Sequence, residues 1–304
     1  MYRSIWSSLL VAIGLRVEAQ EVQTVNFDSG RSVIHITNFQ SRFIEARNID
    51  IYLPPSYNGS IPYRVLYIQD GQNVFNKDYA FGNEALDLDL CLQHNNVNDV
   101  IIVAIWNTSK RFREYLIPDI FDELSKKDKR SIKREYGGVP LGDRYLSFLV
   151  EELIPYVESN YNTSKQSSDR FIGGISMGAF ISFCALIKYP EVFGSGMCLS
   201  THWPLTVFHD RKSIPDKYLK FVVNNKFRLT KSKIYLDYGT ENIDSWYEYS
   251  QLKILDILQE VSDNYEKNIL SLEFKGAGHS MKDWKNRINL PVRFVFKNEY
   301  PVEN

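Results

Sequence analysis

The chain has 304 residues, a length that suits one α/β domain with helices on both faces of a sheet. It carries 36 Lys and Arg residues against 37 Asp and Glu residues, a formal net charge of -1. This balance gives no long-range attraction for nucleic acid or anionic lipid, so we expect neither as a partner. Aromatic residues make up 14% of the chain and suit a large core as well as the walls of a cavity.

The first 19 residues differ in character from the rest. Arg3 precedes an apolar run at 5–15, and Ala19 lies where a signal peptidase would cleave. This pattern predicts a secretory signal at 1–19, a secreted or periplasmic protein, no stable membrane insertion after cleavage, and a single domain at 20–304. A buried first helix is the alternative. The three cysteines show no CxxC or Cys/His spacing, so a structural zinc site is not expected.

Short apolar runs in chain order predict a sheet. Two runs with period-two alternation, at 32–38 and 48–53, predict an antiparallel beginning. Continuous apolar runs predict strands that are buried on both faces, at 64–68, 100–105, 170–173, 197–200 and 233–237, and a further strand is expected at 269–274. Helical patterns at 145–157, 179–188 and 245–265 lie between or after them. Alternating strands and helices predict a mostly parallel central sheet with helices on both faces. The charged segment 121–142 interrupts this alternation and is expected to be a solvated insertion near the active-site rim.

The strongest motif is Gly-Ile-Ser-Met-Gly at 174–178, which follows a predicted strand and precedes a predicted helix. A G-x-S-x-G sequence in this context is typical of a nucleophile elbow, in which a sharp turn presents a serine hydroxyl above the sheet. The serine is Ser176. Its hydroxyl needs a base to become nucleophilic, and His279, in a glycine-rich loop after the last predicted strand, fits the chain order serine, acid, histidine.

The acid is expected in the loop after the strand at 233–237, which offers Glu241 and Asp244. Asp244 is preferred because its shorter side chain, at the start of a helix, is placed more rigidly, but the sequence leaves both open. Asp237 is disfavoured because it lies within the strand.

Two backbone N–H groups must stabilise an oxyanion. Met177, directly after the nucleophile, supplies one, and the loop containing Gly71 and Gln72 supplies the other, with Gly71 expected to let the backbone approach a substrate. His202 and Trp203 follow a strand directly and are expected at the cavity rim, in contact with substrate, with a structural role as the alternative.

Taken together, several segments resemble the putative-esterase family of α/β-hydrolases, which includes enterochelin-esterase-like, feruloyl-esterase-like and esterase D-like enzymes. They are 52–57, 66–75, 103–107, 113–115, 174–178, 237–240 and 278–279. The resemblance implies the α/β-hydrolase fold and a carboxylic-ester hydrolase that forms an acyl-enzyme on Ser176 without metal or cofactor. It also implies His279 as base and an acid at Asp244 or Glu241. The chain departs from many relatives at Ala179 and in the acid loop, where Asn242 occupies the usual acid position.

The leading hypothesis is therefore a serine esterase that acts on a small-molecule or glycan ester. Carbohydrate-linked acyl or feruloyl esters and siderophore-type esters are the expected substrate classes. Thioester or amide hydrolysis by the same residues is a second possibility. A third is a binding protein that keeps the fold without catalysis. The sequence does not predict an oligomeric state.

Overall fold

A single mixed sheet forms the centre of the molecule. The computed structural model of the chain describes residues 20–27, 30–208 and 213–300, so the predicted signal segment lies outside the described residues. Nine strands in this part of the chain form one sheet in the order β1-β2-β3-β5-β4-β6-β7-β8-β9. Pairs from β1 to β5 along this order are antiparallel and the others are parallel. The strands are Glu21–Asn26, Ser32–Phe39, Arg47–Tyr52, Arg64–Gln69, Val100–Ile105, Arg170–Ile175, Ser195–Leu199, Lys233–Gly239 and Ile269–Phe274. The predicted fold class is confirmed.

The inner strands are apolar on both faces because each face of the sheet is covered. In β5, Ile101 and Val103 belong to one apolar layer, whereas Ile102 and Ala104 belong to the layer on the opposite face. Successive side chains of a strand point to opposite faces, so a strand between two layers must be apolar at every position. This explains why the inner strands appear in the sequence as uninterrupted apolar runs.

Twelve α-helices in the described residues surround the sheet. They are α1 Leu88–His94, α2 Arg111–Glu114, α3 Pro118–Asp122, α4 Lys126–Glu135, α5 Gly142–Phe148, α6 Ile154–Asn160, α7 Met177–Lys188, α8 Ser213–Asn225, α9 Glu248–Val261, α10 Tyr265–Asn268, α11 Met281–Arg287 and α12 Asn289–Lys297. A π-helical segment, Leu149–Leu153, joins α5 to α6, so the helix predicted at 145–157 extends further at both ends. The helix predicted at 245–265 is divided, because Ser262 is extended and ends α9.

The charged segment predicted as a solvated insertion contains a capped amphipathic helix. The side chain of Ser125 accepts a hydrogen bond from the Asp128 N–H at the start of α4, while Ile132 on the same helix is buried. At its end, the Glu135 carboxylate accepts hydrogen bonds from the Thr206 hydroxyl at 2.8 Å and from the Val207 N–H at 2.9 Å. The segment thus supports the loop at 205–207. In the described part of the chain, no helix is long and apolar enough to cross a membrane.

Candidate active site

The carboxyl ends of β4, β6, β7, β8 and β9 meet at one edge of the sheet, where ligands commonly bind in open α/β sheets. A cavity of about 550 Å³ opens there. Five of the residues selected from the sequence line it: Gln72, Ser176, Met177, His202 and His279. The residues come from separate loops, and the parallel arrangement of the strands brings them together.

Ser176 occupies a sharp turn between β6 and α7. Its backbone has φ 59° and ψ -123°, a conformation that a non-glycine residue adopts only when the surrounding structure imposes it. A Cβ on Gly174 would lie 2.6 Å from the Gly178 carbonyl carbon, and one on Gly178 would lie 3.0 Å from the Asp70 carboxylate. The two motif glycines are therefore required because the strand, the helix start and the Asp70 loop pack closely around the turn.

His279 is held by Asp244. Its Nδ1 lies 2.6 Å from Asp244 Oδ1, and since a carboxylate only accepts hydrogen bonds, the imidazole proton is on Nδ1 and Nε2 is left as an acceptor. Asp244 Oδ2 accepts hydrogen bonds from the Ser200 hydroxyl at 2.6 Å and the Gly239 N–H at 2.9 Å. Burial by itself raises the pKa of Asp244, but the hydrogen bond and charge of His279, followed by the bonds from Ser200 and Gly239, hold it below its ordinary value. Asp244 is thus an ionised carboxylate, and both of its oxygens accept hydrogen bonds.

Glu241 and Asp237, the other carboxylates considered near this loop, lie elsewhere. Glu241 is exposed, and its backbone N–H donates to the Ala277 carbonyl at 3.0 Å. Asp237 is buried and accepts two hydrogen bonds from Arg287. Of the two candidate acids, the structure therefore brings Asp244 to His279 and leaves Glu241 at the surface.

Met177 and Gln72, which line the cavity with Ser176, each have a backbone N–H without an acceptor in its own helix. Met177 begins α7 and Gln72 lies in the 3₁₀ turn Gly71–Asn73, so the N–H of each belongs to a first helical turn that has no intrahelical acceptor. The role expected for Gly71 needs correction. Gly71 does not line the cavity, and a Cβ there would lie 2.4 Å from the Ala104 carbonyl carbon. Glycine is needed at this position for packing against β5 and not for approach to a ligand.

A half-buried ionic cluster at the cavity wall fixes the loop that contains Gln72. The Asp70 carboxylate accepts two hydrogen bonds from Arg111, at 2.7 Å and 2.6 Å, and one from the Asn107 side chain at 2.6 Å. Burial disfavours the Arg111 charge, but the charge and hydrogen bonds of Asp70 outweigh this and keep the pKa of Arg111 above its ordinary value. Arg111 lines the cavity. Because Asp70 balances its charge, Arg111 adds little net charge to the cavity wall.

Comparison with known protein families identifies the family to which the chain belongs. The model of a family described as "Putative esterase" matches residues 41–293. The chain belongs to this esterase family. The resemblance found in the sequence motifs is confirmed.

Individual relatives of this esterase-family chain are distant. It is 30% identical over 161 residues to the uncharacterized protein YbbA of Bacillus subtilis, a match that spans 52% of the chain and 58% of YbbA. Among solved structures, it is similar to a ferulic acid esterase, with TM-score 0.61 and 17% identity, covering 88% of this chain and 98% of that one. It is also similar to the enterobactin esterase FES of Shigella flexneri, with TM-score 0.61 and 16% identity, covering 87% and 59%. At these identities the two structures show a shared fold.

Trp203 does not line the cavity, so the expected contact with substrate needs correction. Its indole is fully buried, stacks on Tyr218 at 5.5 Å and meets Phe183 edge-on at 5.3 Å. Its Nε1 donates to the Gln251 side chain at 2.8 Å. Trp203 is therefore a core residue, because the chain turns inward directly after His202.

Tyr247 is a site residue that the sequence analysis missed. Its buried hydroxyl lies 2.7 Å from His202 Nδ1, and its ring meets the His279 ring edge-on at 6.1 Å. Burial and then the charge of Asp244 raise the pKa of Tyr247 well above its ordinary value, while a hydrogen bond with the Ser176 side chain acts in the opposite direction. Within the described residues, the His279 ring bonds to Asp244 and makes no direct hydrogen bond to Ser176. Tyr247 therefore lies between Ser176, His202 and His279.

The hydrogen-bond directions around His202 follow from its surroundings. A hydrogen bond with the Thr206 backbone raises the pKa of His202, so the backbone group is the carbonyl, which accepts an N–H of the ring. Since Nδ1 is engaged with Tyr247, the donating nitrogen is Nε2. Neutral His202 therefore accepts the Tyr247 proton at Nδ1, and the Tyr247 oxygen offers lone pairs to Ser176.

Removing the Tyr247 hydroxyl is expected to destabilise the protein. Tyr247→Phe leaves the buried Nδ1 of His202 without a donor, which costs about 1–3 kcal/mol in the free energy of unfolding. Urea unfolding at neutral pH measures this loss. The matched control is Tyr249→Phe, at the start of α9, where the side chain is 61% exposed and no loss is expected. Equal stability of the two variants would contradict the bond assignment.

His202 is expected to make the folded protein sensitive to acid. Burial, with the charges of His279 and Arg111, lowers the pKa of His202 from 6.5 to about 3. Below about pH 6.5 His202 is protonated in the unfolded chain but stays neutral in the folded protein. The contribution of neutral His202 to the free energy of unfolding is therefore complete above that pH and declines as the pH falls towards 3. In His202→Asn, stability should fall less steeply between about pH 6.5 and pH 4. Urea unfolding across this range tests the slope, and parallel curves for the two proteins would disprove the assignment.

Among the described residues, no group of three or more His, Cys, Asp and Glu side chains is arranged to hold a metal ion. Cys91, Cys184 and Cys198 are free and buried, and burial raises the pKa of each thiol. Neutral buried thiols are poor nucleophiles. The nucleophile candidate at the cavity is therefore the serine.

Proposed function

We propose that the protein is a serine carboxylic-ester hydrolase, with Ser176 as nucleophile, His279 as general base and Asp244 as the acid that orients it. One observation carries this proposal: the 2.6 Å contact between His279 Nδ1 and Asp244 leaves Nε2 as a proton acceptor on the cavity that Ser176 lines. Met177 and Gln72, the residues proposed to supply the oxyanion N–H groups, line the same cavity.

The chemistry proceeds in two halves. Ser176 Oγ attacks the ester carbonyl carbon as its proton passes to His279 Nε2, and Asp244 stabilises the resulting imidazolium. The carbonyl oxygen becomes an oxyanion, which the N–H groups of Met177 and Gln72 stabilise. The tetrahedral species then collapses, the bond to the alcohol oxygen breaks, and His279 returns the proton to that oxygen. An acyl group remains on Ser176.

Water completes the cycle. A water molecule gives a proton to His279 Nε2 and attacks the acyl carbonyl, and the same oxyanion stabilisation applies. Collapse breaks the bond to Ser176 Oγ, which recovers its proton from His279. The products are a carboxylic acid and an alcohol, and no cofactor or metal takes part.

We propose an aromatic acyl group as the part of the substrate that enters the cavity. The walls are largely apolar and include the aromatic side chains of Tyr79, Phe81, Phe112 and Trp284. Such walls bind an aromatic ring by offset or edge-to-face packing. The name of one structural neighbour, a ferulic acid esterase, supports an aromatic acyl group, and that of another, an enterobactin esterase, supports siderophore-type esters. Carbohydrate-linked feruloyl or other acyl esters and siderophore-type esters are the proposed substrates.

A fluorophosphonate probe and p-nitrophenyl acetate test the activity itself. An activated Ser176 is labelled covalently by the probe and hydrolyses the ester. Failure of both in a folded protein would leave a non-catalytic binding role. Labelling together with faster cleavage of a matched thioester or amide would instead indicate those acyl compounds as substrates. Export to the periplasm or medium remains a separate prediction.

The acyl preference is tested with two esters that share one leaving group, p-nitrophenyl ferulate and p-nitrophenyl acetate. Phe81 lines the cavity although its side chain is 76% exposed. Phe81→Ala should lower kcat/KM for the ferulate about 10-fold, since a lost aromatic contact contributes about 0.5–1.5 kcal/mol beyond area burial. The kcat/KM for the acetate should stay nearly the same in this variant. The control is Phe227→Ala, at a side chain 72% exposed and away from this cavity. Equal effects on both esters would refute aromatic acyl recognition.

A further inference from the structure

A second buried carboxylate, that of Asp237, lies close to Asp244, and the Arg287 guanidinium faces both. Arg287, at the end of α11, donates to Asp237 from Nη2 at 3.0 Å and from Nε at 3.1 Å. The same Nη2 lies 3.8 Å from Asp244 Oδ2. The side chains of all three residues are buried. Neither carboxylate belongs to a surface ion pair, so their charges act at low dielectric.

Ser200 connects the guanidinium to Asp244. Its oxygen accepts hydrogen bonds from Arg287 Nη2 at 2.6 Å and from Trp284 Nε1 at 2.9 Å, and both of these groups are donors only. Its own proton is therefore directed to Asp244 Oδ2, at 2.6 Å. The Ser200 backbone has φ 43°, a conformation that its surroundings must impose. With Oδ2 occupied in this way, Oδ1 of Asp244 is left for His279.

The Arg287 charge matters because two carboxylates are buried close to it. Two carboxylates buried side by side cannot both ionise without a cation, and one of them then keeps a proton. Burial raises the pKa of Asp237 above its ordinary value, although the Arg287 charge and the hydrogen bonds to the carboxylate act in the opposite direction. Asp237 also accepts hydrogen bonds from the Ser200 N–H at 2.9 Å and the Tyr235 hydroxyl at 2.9 Å, as an ionised carboxylate does. Arg287 and Asp237 together are therefore neutral.

We propose that Arg287 is a positioning residue that cancels the charge of Asp237, so that Asp244 stays ionised and its charge remains available to protonated His279. The proposal rests on the proposed ester hydrolysis for its kinetic consequences. Arg287 acts through Asp244 and contacts no substrate. The charged and titratable groups that face Asp244 are Arg287 on α11, Asp237 on β8, His279 after β9, His202 after β7 and Tyr247 before α9.

Three variants test the charge balance: Arg287→Met, Asp237→Asn and the double variant. Arg287→Met should lower kcat about 10- to 100-fold at neutral pH and move the acid limb of the pH–activity profile to higher pH. The reason is that the two carboxylates then share a proton, and each unit by which the pKa rises changes the ratio of ionised to protonated carboxylate tenfold. In Asp237→Asn, the Arg287 charge is no longer balanced by Asp237 and offsets the charge of Asp244 instead. Protonated His279 is then less stabilised, so kcat should fall and the acid limb of the pH–activity profile should move to lower pH. The double variant restores the balance and should recover kcat to within about 10-fold of the parent protein.

The rescue separates charge balance from a merely structural role. Structural damage predicts that the two losses add, whereas the proposal predicts that the double variant is more active than Arg287→Met. The control is Arg170→Met, which breaks a half-buried pair with Glu158 at the opposite end of the sheet and should leave the pH profile unchanged. Additive losses in the double variant, or an unshifted profile in Arg287→Met, would overturn the proposal.

A measurement without turnover keeps this test independent of the proposed function. The ¹H NMR signal of the His279 Nδ1 proton reports its hydrogen bond to Asp244. It should change in Arg287→Met and return in the double variant. If the parent protein hydrolyses no ester but this pattern appears, the proposed function fails and the charge balance stands. If esters are hydrolysed and the signal is the same in all variants, the charge balance fails alone.

Discussion

Ser176→Ala is expected to lower ester turnover by about 10⁴- to 10⁶-fold, the scale of loss when the nucleophile of such a triad is removed. The reason is that no other group at the cavity can form the acyl-enzyme, and the residual rate then depends on oxyanion stabilisation alone. Folding should be retained, because alanine fills less space than serine and the turn is imposed by the packing of Gly174 and Gly178. Steady-state kinetics with p-nitrophenyl acetate and thermal unfolding provide the two measurements.

The matched control is Ser182→Ala, at a buried serine in α7, the helix that follows Ser176. The Ser182 hydroxyl donates to the Gly178 carbonyl at 2.8 Å, a bond within the helix that alanine does not require. Its activity should remain within a few-fold of the parent, and fluorophosphonate labelling should persist. Retained turnover in purified Ser176→Ala would show that another residue is the nucleophile.

Asp244→Asn is expected to lower turnover about 10²- to 10⁴-fold. Both carboxylate oxygens act as acceptors, Oδ1 from His279 and Oδ2 from the Ser200 hydroxyl and the Gly239 N–H. An amide of the same size has one oxygen only, so its NH₂ group must face either the imidazole N–H or these two donors. In each orientation a donor meets a donor, and His279 loses the tautomer or the position that catalysis needs. The kcat of the purified variant measures the effect.

Glu241→Gln serves as the comparison in the same loop. Its side chain is exposed and the nearby bond is made by its backbone, so a loss of less than about 3-fold is expected for such a surface substitution. A larger loss for Glu241→Gln than for Asp244→Asn would reverse the assignment of the acid. Small losses in both variants would indicate that a Ser176 and His279 pair suffices without an acid.

The local patterns were informative where one short segment contains all that the structure requires. The inner strands were predicted because a strand covered on both faces must be apolar at each position, as in Val100–Ile105. The elbow at Ser176 was predicted because its strand, turn, glycines and helix are contiguous. The run of charges in segment 121–142 predicts a solvated insertion, and the helix Lys126–Glu135 within it has one buried residue, Ile132, too few to give an apolar pattern in the sequence.

Two assignments failed because they depend on neighbours distant in the chain. The Gly71 backbone was expected to face a ligand, but its closest neighbour is Ala104 on β5, a strand more than thirty residues further along the chain. Trp203 was placed at the rim from its position after a strand, but the turn directs it between α7 and α8, where Phe183 and Tyr218 enclose it. Position relative to a strand end specifies the edge of the sheet and not the direction of a side chain.

The sequence by itself determined the α/β architecture, the elbow serine, the histidine and the loop that holds the acid, because periodicity and chain order act locally. Only the tertiary structure decided between Asp244 and Glu241, since the choice depends on which carboxylate is directed to His279 and which to solvent. The contacts of Tyr247 and Arg287 were likewise decided by the fold alone. Charges and hydrogen bonds act through space at a few ångströms, and the residues that share this site are separated by tens of positions along the chain.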